Sequence, residues 1–156
     1  MTNKKLAFVS FEKANRKFRG FLSMEVALGG DKEPEVILHK ATEIYEYGLT
    51  KMASIIDIIK TARANRKLVP ARKIWQLGNA IFKFLDELEE LGLEIDGIYD
   101  HLTRDLGVKR KWLEKVIIFR RYLPYIKMIP ESLNWGRCEK GTRRVAERLK
   151  SGLPLS

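Results

Sequence analysis

Cysteine, histidine and long apolar runs are scarce in this 156-residue chain, and each shortage excludes a class of protein. The single cysteine, Cys138, cannot form an internal disulfide, and with only His39 and His101 beside it no zinc-ligand spacing is recognisable. No apolar run approaches the roughly 18 residues that a membrane span needs, and residues 1–10 lack the apolar core of a signal peptide. We therefore expect a cytoplasmic protein with no membrane partner, no metal and no other cofactor.

Catalytic constellations are absent as well. Neither histidine has an evident nucleophile or carboxylate partner in the sequence, and there is no glycine-rich loop of the kind that cradles phosphates. The acidic residues of segment 82–100 are predicted to lie along a helix, whereas a metal-dependent nuclease needs carboxylates clustered at strand ends. We therefore predict that the protein is not an enzyme.

Acidic residues are outnumbered by basic ones. Thirty Lys and Arg against twenty Asp and Glu give a net charge of +10, which favours a polyanionic partner, nucleic acid before an anionic membrane. One glutamine and five asparagines beside so many charged residues are typical of a thermophile protein. With 45% hydrophobic residues the chain still has enough apolar surface to fold.

The apolar pattern changes near residue 40. Before it, extended apolar runs at 6–9, 24–28 and 36–38 predict a small β-hairpin or sheet, with 12–19 as a loop or short helix. From residue 41 onward, apolar residues recur at spacings of three and four, which predicts helices. We therefore expect a mainly α protein, a helical bundle over 41–156 carrying a small β-containing element at 1–40. The predicted helices are a long one from 41 to about 68, interrupted or weakened near Gly48, and others over 70–91, 95–105, 109–123 and 135–150.

Segment 99–121 has the spacing of a helix-turn-helix. Such a unit needs two apolar inner faces and a tight turn that a small residue fits. Taking Tyr99 as the first position, Gly107 falls at the ninth, where the chain requires a positive φ that glycine tolerates. The inner positions are all filled by apolar residues: Leu102, Leu106, Val108, Leu113 and Val116.

The far side of the second helix is basic, as a surface facing the DNA groove should be. Between His101 and Lys127 there are eight Lys or Arg and two acids. At the start of such a helix, Arg and Lys can read guanine edges, while later arginines hold phosphates. The predicted DNA-binding residues are Arg104, Lys109, Arg110, Lys111, Glu114, Lys115, Arg120 and Arg121. The alternative is an ordinary solvated helical hairpin.

Other charged segments extend or oppose this surface. A secondary basic patch is predicted in the last helix, from Arg137, Lys140, Arg143, Arg144 and Arg148. Segment 82–100 instead carries seven acids against one lysine, which DNA avoids; it is either an interface or a solvated helix end. The three tryptophans could stack on single strands, but their apolar neighbours favour a place in the core.

Four segments share a pattern with a known family: IWQLGNAI at 74–81, LTRDL at 102–106, the helix at 113–122 and LNW at 133–135. Over about residues 62–149 the chain thereby resembles the helical N-terminal domain of a family of PD-(D/E)XK-type nucleases associated with bacterial and archaeal restriction and mobile elements. The resemblance implies a DNA-targeting domain. Because no nuclease domain follows residue 149 in this sequence, it also implies that any cutting belongs to a separate catalytic subunit.

The sequence thus favours a duplex DNA-binding protein, acting as a regulator or as the targeting part of a mobile-element or defence system. A homodimer would suit paired half-sites. Two alternatives stay open: a non-enzymatic adaptor that assembles through its acidic and basic helical faces, and a binder of RNA or single strands.

Overall fold

The computed structural model describes residues 6–22 and 34–155. The fold is mainly α with a small sheet built around N-terminal strands, which confirms the predicted fold class. The elements are β1 (Ala7–Ala14), β2 (Lys17–Leu22), α1 (Pro34–Ala64), α2 (Ala71–Glu90), β3 (Leu93–Ile95), α3 (Ile98–Leu106), α4 (Arg110–Tyr122), α5 (Gly136–Glu139) and α6 (Thr142–Lys150). A single 3-10 turn, Ile126–Met128, follows α4.

Strands β1 and β2 form an antiparallel hairpin with Ala14 opposite Lys17. The two connecting residues, Asn15 and Arg16, both have positive φ, at 50° and 67°, as a tight two-residue hairpin turn requires. The predicted hairpin is therefore present, but the loop or short helix expected at 12–19 is wrong, because that segment is strand and turn. The apolar run at 24–28 lies outside the described residues.

The third strand comes from far along the chain. β3 pairs in parallel with β1, with Ala7 opposite Leu93, so the sheet has the order β2-β1-β3. Alternation along β1 buries its inner residues against the helices: Ala7, Val9 and Phe11. The N-terminal strands thus share one hydrophobic core with the helical part of the chain.

Helix α1 begins at Pro34 and continues without interruption to Ala64. The run at 36–38, expected to be extended, is its first turn, and the expected boundary between 40 and 41 falls inside this helix. Gly48 does not weaken α1. It marks a close approach to α2, where a Cβ atom would meet the Cβ of Phe84 at 3.1 Å.

Helix α2 lies at the centre of the molecule, packing on α1 and on α4. Its buried stripe has the spacing expected of a core helix: Ala71, Ile74, Leu77, Gly78, Ile81, Phe84 and Leu88. At Gly78 the crossing with α4 is so close that a Cβ atom would lie 2.6 Å from the Cβ of Arg120. This contact fixes where α4 sits.

The C-terminal segment closes the bundle. The backbone N–H of Trp135 donates to Val69 O at 2.8 Å, which holds the segment to the start of α2. The single helix expected over 135–150 is two helices, because Lys140 is extended and ends α5, and Gly141 takes a left-handed conformation with φ 78° before α6 begins. Within the described ranges, no helix combines the length and the apolar character that crossing a membrane demands.

Candidate nucleic-acid interface

Helices α3 and α4 are joined by the three-residue turn that the sequence pattern predicts. Gly107 ends α3 in the left-handed conformation, with φ 65° and ψ 35°, and its N–H donates to Thr103 O. Lys109 is extended, and its carbonyl accepts the N–H of Leu113 at 3.0 Å. The chain can turn from one helix to the next in so few residues because glycine adopts positive φ without strain.

The inner faces of the two helices meet as the helix-turn-helix spacing requires. Leu102 of α3 and Leu113 of α4 are fully buried, and Val116 is also in the core. Leu106 and Val108 are partly buried against them. The opposite face of α4 is left open, so its charged residues project from the surface.

The open face of α4 holds four cations and one carboxylate. They are Arg110, Lys111, Lys115 and Arg121, with Glu114. Lys109, a further predicted contact, precedes the helix on the side toward α1, beside Trp112. Arg110 is oriented by its neighbours: its Nε lies 3.2 Å from Glu114 Oε1, and its guanidinium lies 5.0 Å from the ring centre of Tyr99. A third contact, 3.9 Å to Asp100, draws it toward α3. Arg110 and Glu114 would therefore meet a groove as a pair, while Lys111 and Arg121 are exposed.

Arg104 and Arg120, two predicted DNA contacts, are engaged within the fold. Arg104 donates to Phe11 O at 2.6 Å and to Asp105 Oδ1 at 2.9 Å, and the hydrogen bond with Asp105 raises the pKa of its guanidinium. Arg120 donates to Asn79 Oδ1 at 3.0 Å, and burial lowers the pKa of its guanidinium. These side chains hold α3 to the hairpin and α4 to α2.

A buried polar cluster ties α3 to β1 and α1. His101 Nε2 accepts the N–H of Phe11 at 2.8 Å, and its Nδ1 lies 2.9 Å from Gly97 O. One ring nitrogen accepts and the other donates, so this geometry requires a neutral imidazole with its proton on Nδ1. Tyr45 OH donates to Asp105 Oδ2 at 2.5 Å. Sequence reasoning missed this cluster.

The electrostatics of the cluster follow from burial and hydrogen bonding. Burial raises the pKa of Tyr45 far above its usual range, and the hydrogen bond with Asp105 adds to the effect. Burial alone would raise the pKa of Asp105. The hydrogen bonds from Arg104 and Tyr45 outweigh burial and hold the pKa of this carboxyl below its ordinary value. Asp105 is therefore an ionised residue of α3 that holds this helix to Tyr45 of α1.

The secondary basic patch lies beside α4. Arg137, Lys140, Arg143 and Arg144 are exposed, and Arg148 is half-buried with its Nε donating to Pro154 O. The guanidinium of Arg143 lies 5.7 Å from the ring centre of Tyr122, the last residue of α4. The open face of α4 and the start of α6 therefore form one continuous basic surface.

The tryptophans belong to the packing. Trp135 is 1% exposed and packs edge-on against Phe119. Trp75 is half-buried and its indole N–H donates to Leu123 O at 2.6 Å. Trp112 is partly buried beneath the guanidinium of Arg63, 5.8 Å from its ring centre. None of the three is an exposed stacking platform. This agrees with the apolar neighbours in the sequence, which favour a place in the core.

The described part of the chain contains no cluster of metal-binding side chains. No three His, Cys, Asp or Glu side chains within residues 6–22 and 34–155 lie close enough together to hold a metal ion. Cys138 is buried, and burial raises the pKa of its thiol to about 11. A thiol held neutral in this way is a poor nucleophile at neutral pH.

Comparison with known proteins gives no family. No model of a protein family matches the chain, and no detectably similar protein was found among characterised proteins or solved structures.

Proposed function

We propose that this protein binds duplex DNA through the open face of α4. The observation that carries the proposal is the construction of α3, the Gly107 turn and α4. It buries the apolar side of α4 and leaves four cations on the opposite side. A helix presented in this way fits the major groove.

Lys111 and Arg121 are the strongest candidates for direct contacts, since no intramolecular partner limits either side chain among the described residues. Arg110 would approach base edges together with Glu114, which can accept from cytosine N4. The α6 arginines, joined to α4 through Tyr122, are placed to hold the phosphate backbone. Arg104 and Arg120 have structural roles instead.

The biological setting of the proposal is a cytoplasmic regulator, or the targeting subunit of a mobile-element or defence system. The resemblance of residues 62–149 to a nuclease targeting domain supports the second setting. It also supports a separate catalytic subunit as partner. A homodimer would double the contact area on a pseudo-palindromic site.

Fluorescence anisotropy with labelled duplex, single-stranded DNA and RNA across a salt series tests the proposal. We expect duplex to bind best, with log affinity falling steeply against log salt because phosphate contacts release counterions. The variant Lys111→Ala/Arg121→Ala should weaken duplex binding about tenfold or more. The control Lys40→Ala/Lys83→Ala removes the same charge from exposed positions of α1 and α2 and should bind almost normally.

The result that contradicts the proposal is equal binding of all three nucleic acids, or equal losses in the two double variants. Site selection from a random duplex pool then separates specific from non-specific binding. If a preferred site emerges, Arg110→Ala should relax preference at one or two base pairs.

A second function, assembly through charged surfaces, is favoured by the separation of charge on the molecule. The end of α2 and the following residues carry exposed acids, among them Asp86, Glu89, Glu90 and Glu94. This surface could meet the basic face of another subunit. Sedimentation velocity would reveal it as a salt-sensitive oligomer that forms without DNA.

A further inference from the structure

A broad groove lies between α1 and α2, with a volume of about 570 Å³. Its lining includes the partly buried side chains of Ile44, Ile55 and Ala80. The buried residues Gly48 and Phe84, where the two helices approach most closely, also belong to it. Apolar surface is therefore left open between the two helices.

A row of large apolar side chains projects beside this groove. Val36 is 47% exposed, Tyr47 is 60% exposed and Ile58 is 51% exposed. They are eleven residues apart, which is about three helical turns, so they follow one line along α1. We call this row and the adjoining groove the α1–α2 face. Exposed apolar side chains aligned with an apolar groove, rather than scattered singly, indicate an interaction surface.

The α1–α2 face is close to neutral, although the protein has a net charge of +10. It carries three lysines and two glutamates, so a second copy of this basic chain would meet little overall repulsion there. These residues are Lys40, Lys51 and Lys83, with Glu43 and Glu87.

The exposed residues of α1 are arranged symmetrically about Tyr47. Glu43 and Lys51, which have opposite charges, lie four residues before and after it. Val36 and Ile58, which are both apolar, lie eleven residues before and after it. Glu43 has 67% of its side chain exposed, despite a contact with the histidine one turn before it. Lys51 projects from the same side as Tyr47, since its Nζ lies 4.8 Å from the centre of the Tyr47 ring.

Such an arrangement is complementary to itself. A two-fold axis that passes through Tyr47 and is perpendicular to α1 reverses the direction of the helix, so it brings Glu43 of each copy toward Lys51 of the other. The same rotation sets Val36 opposite Ile58 and brings the two Tyr47 rings together. An interface between two identical copies requires this self-complementarity, whereas an unrelated partner does not. The pattern therefore favours a second copy as the occupant of this face.

We propose that a second copy of this chain docks on the α1–α2 face, with the two α1 helices antiparallel and the two-fold axis at Tyr47. The opposite charges set the register of the two helices. The open face of α4 stays accessible in this dimer. Gly78, which meets α4, and Ala80, which lines the groove, are two residues apart and therefore point to opposite sides of α2. The dimer does not depend on DNA binding, but its use of two α4 helices on paired half-sites rests on the proposed function.

Sedimentation velocity of the full chain without DNA, over a range of protein concentrations, tests the proposal. We expect a monomer–dimer equilibrium whose dissociation constant rises about tenfold or more in Tyr47→Ala/Ile58→Ala. The control Tyr125→Ala/Leu153→Ala removes side chains of similar exposure, 59% and 52%, from other parts of the surface and should leave the dimer unchanged. Far-UV circular dichroism establishes that each variant is folded.

Charge exchange tests the two-fold arrangement. Glu43→Lys and Lys51→Glu should each weaken the dimer about tenfold or more, because like charges then meet twice in every dimer. The double variant Glu43→Lys/Lys51→Glu should recover most of the wild-type affinity, as should an equimolar mixture of the two single variants. Arg143→Glu/Arg144→Glu should leave this dimer intact, unlike an assembly through the basic residues of α6.

Three results would overturn the proposal. They are a protein that stays monomeric up to about 1 mM, equal weakening by the Tyr47 and Tyr125 double variants, and a charge-exchanged double variant that dimerises no better than the single ones. Each of them leaves the DNA-binding proposal standing, because that proposal is tested by the duplex affinity of α4 variants. Conversely, a dimer that does not bind duplex would contradict DNA binding alone.

Discussion

At the scale of single residues, Gly107 is important for its backbone alone. It has φ 65°, and no atom lies within 4 Å of the place a Cβ would occupy. Gly107→Ala should therefore destabilise the protein by about 1–2 kcal/mol, the cost of a left-handed conformation for an L-residue. Urea unfolding measures it.

Gly136→Ala is the matched control for this prediction. Gly136 also has no atom within 4 Å of the position that a Cβ would take, but it lies in α5 and does not need positive φ. Its replacement should leave stability unchanged or raise it by up to about 1 kcal/mol. Equal destabilisation by the two substitutions would show that the conformation of Gly107 is not the cause.

Asp105 makes stability depend on acid pH. Asp105→Asn should destabilise the protein at pH 7 by about 1.5–3 kcal/mol, because Arg104 and Tyr45 lose a charged acceptor. The folded-state pKa of Asp105 is lowered, so its contribution is present above the ordinary carboxylate pKa and is lost as the pH falls through the folded value.

The difference in unfolding free energy between wild type and Asp105→Asn should therefore be constant above about pH 5 and shrink below about pH 4. Chemical denaturation from pH 2.5 to 7 gives this profile. Tyr45→Phe, which keeps the carboxylate, is the control and should retain most of the acid-dependent change. A difference that grows toward low pH would contradict the assigned ionisation.

The residues of this polar cluster show why the sequence could not predict it. His101 is isolated in the sequence, because its partner is the backbone N–H of Phe11, ninety positions away. Because almost every residue has a backbone N–H, the sequence does not show which one a side chain will bond. A weak signal existed, since His101 and Asp105 share one side of α3 at a spacing of four, away from Leu102 and Leu106.

At the scale of elements, the crossing of α2 and α4 depends on Gly78. A Cβ there would lie 2.6 Å from Arg120 Cβ and 3.0 Å from Val116 O. Gly78→Ala should push α4 away and cost about 1–3 kcal/mol, and the displaced helix should also bind duplex DNA less well. Thermal unfolding and anisotropy measure the two effects.

Gly48→Ala provides the comparison for Gly78→Ala. Both substitutions add the same helix propensity to a helix interior, but at Gly48 the nearest atom would be Phe84 Cβ at 3.1 Å. We expect Gly48→Ala to be less destabilising and to leave DNA binding unchanged, because it lies at the crossing of α1 and α2. A reversed order would contradict the α2–α4 packing.

Helix interiors followed from the sequence better than helix ends. The stripe of α2 and the α3–turn–α4 unit were predicted, because their spacing is regular and a glycine marks the turn. The start of α1 was not, since three consecutive apolar residues at 36–38 fit a strand as well as a helix. Ile37, Ala41 and Tyr45 are buried at spacings of four, and the packing of α1 on the sheet and on α2 decides between strand and helix.

At the scale of the whole molecule, the arrangement of charge separates the two proposed functions. The basic surface of α4 and α6 and the acidic surface at the end of α2 lie on different elements, and α3 connects them where Arg110 approaches Asp100. The positions of the acidic and basic segments were predictable from the sequence. The contact between the basic residues of α6 and those of α4 was not, because Arg143 reaches Tyr122 only after α6 packs on α4.

Charge reversal on each surface gives opposite expectations for the two functions. Arg143→Glu/Arg144→Glu should weaken duplex binding about tenfold or more at 150 mM salt, through lost phosphate contacts. Glu89→Lys/Glu90→Lys should change it about twofold at most, because charges more than about 8 Å from the DNA are largely screened at that ionic strength. If assembly is the function instead, both variants should lower the sedimentation coefficient of the free protein, and neither should alter a weak affinity for DNA. A protein whose duplex affinity falls only in Arg143→Glu/Arg144→Glu supports DNA binding through α4. An oligomer that dissociates in both variants supports assembly.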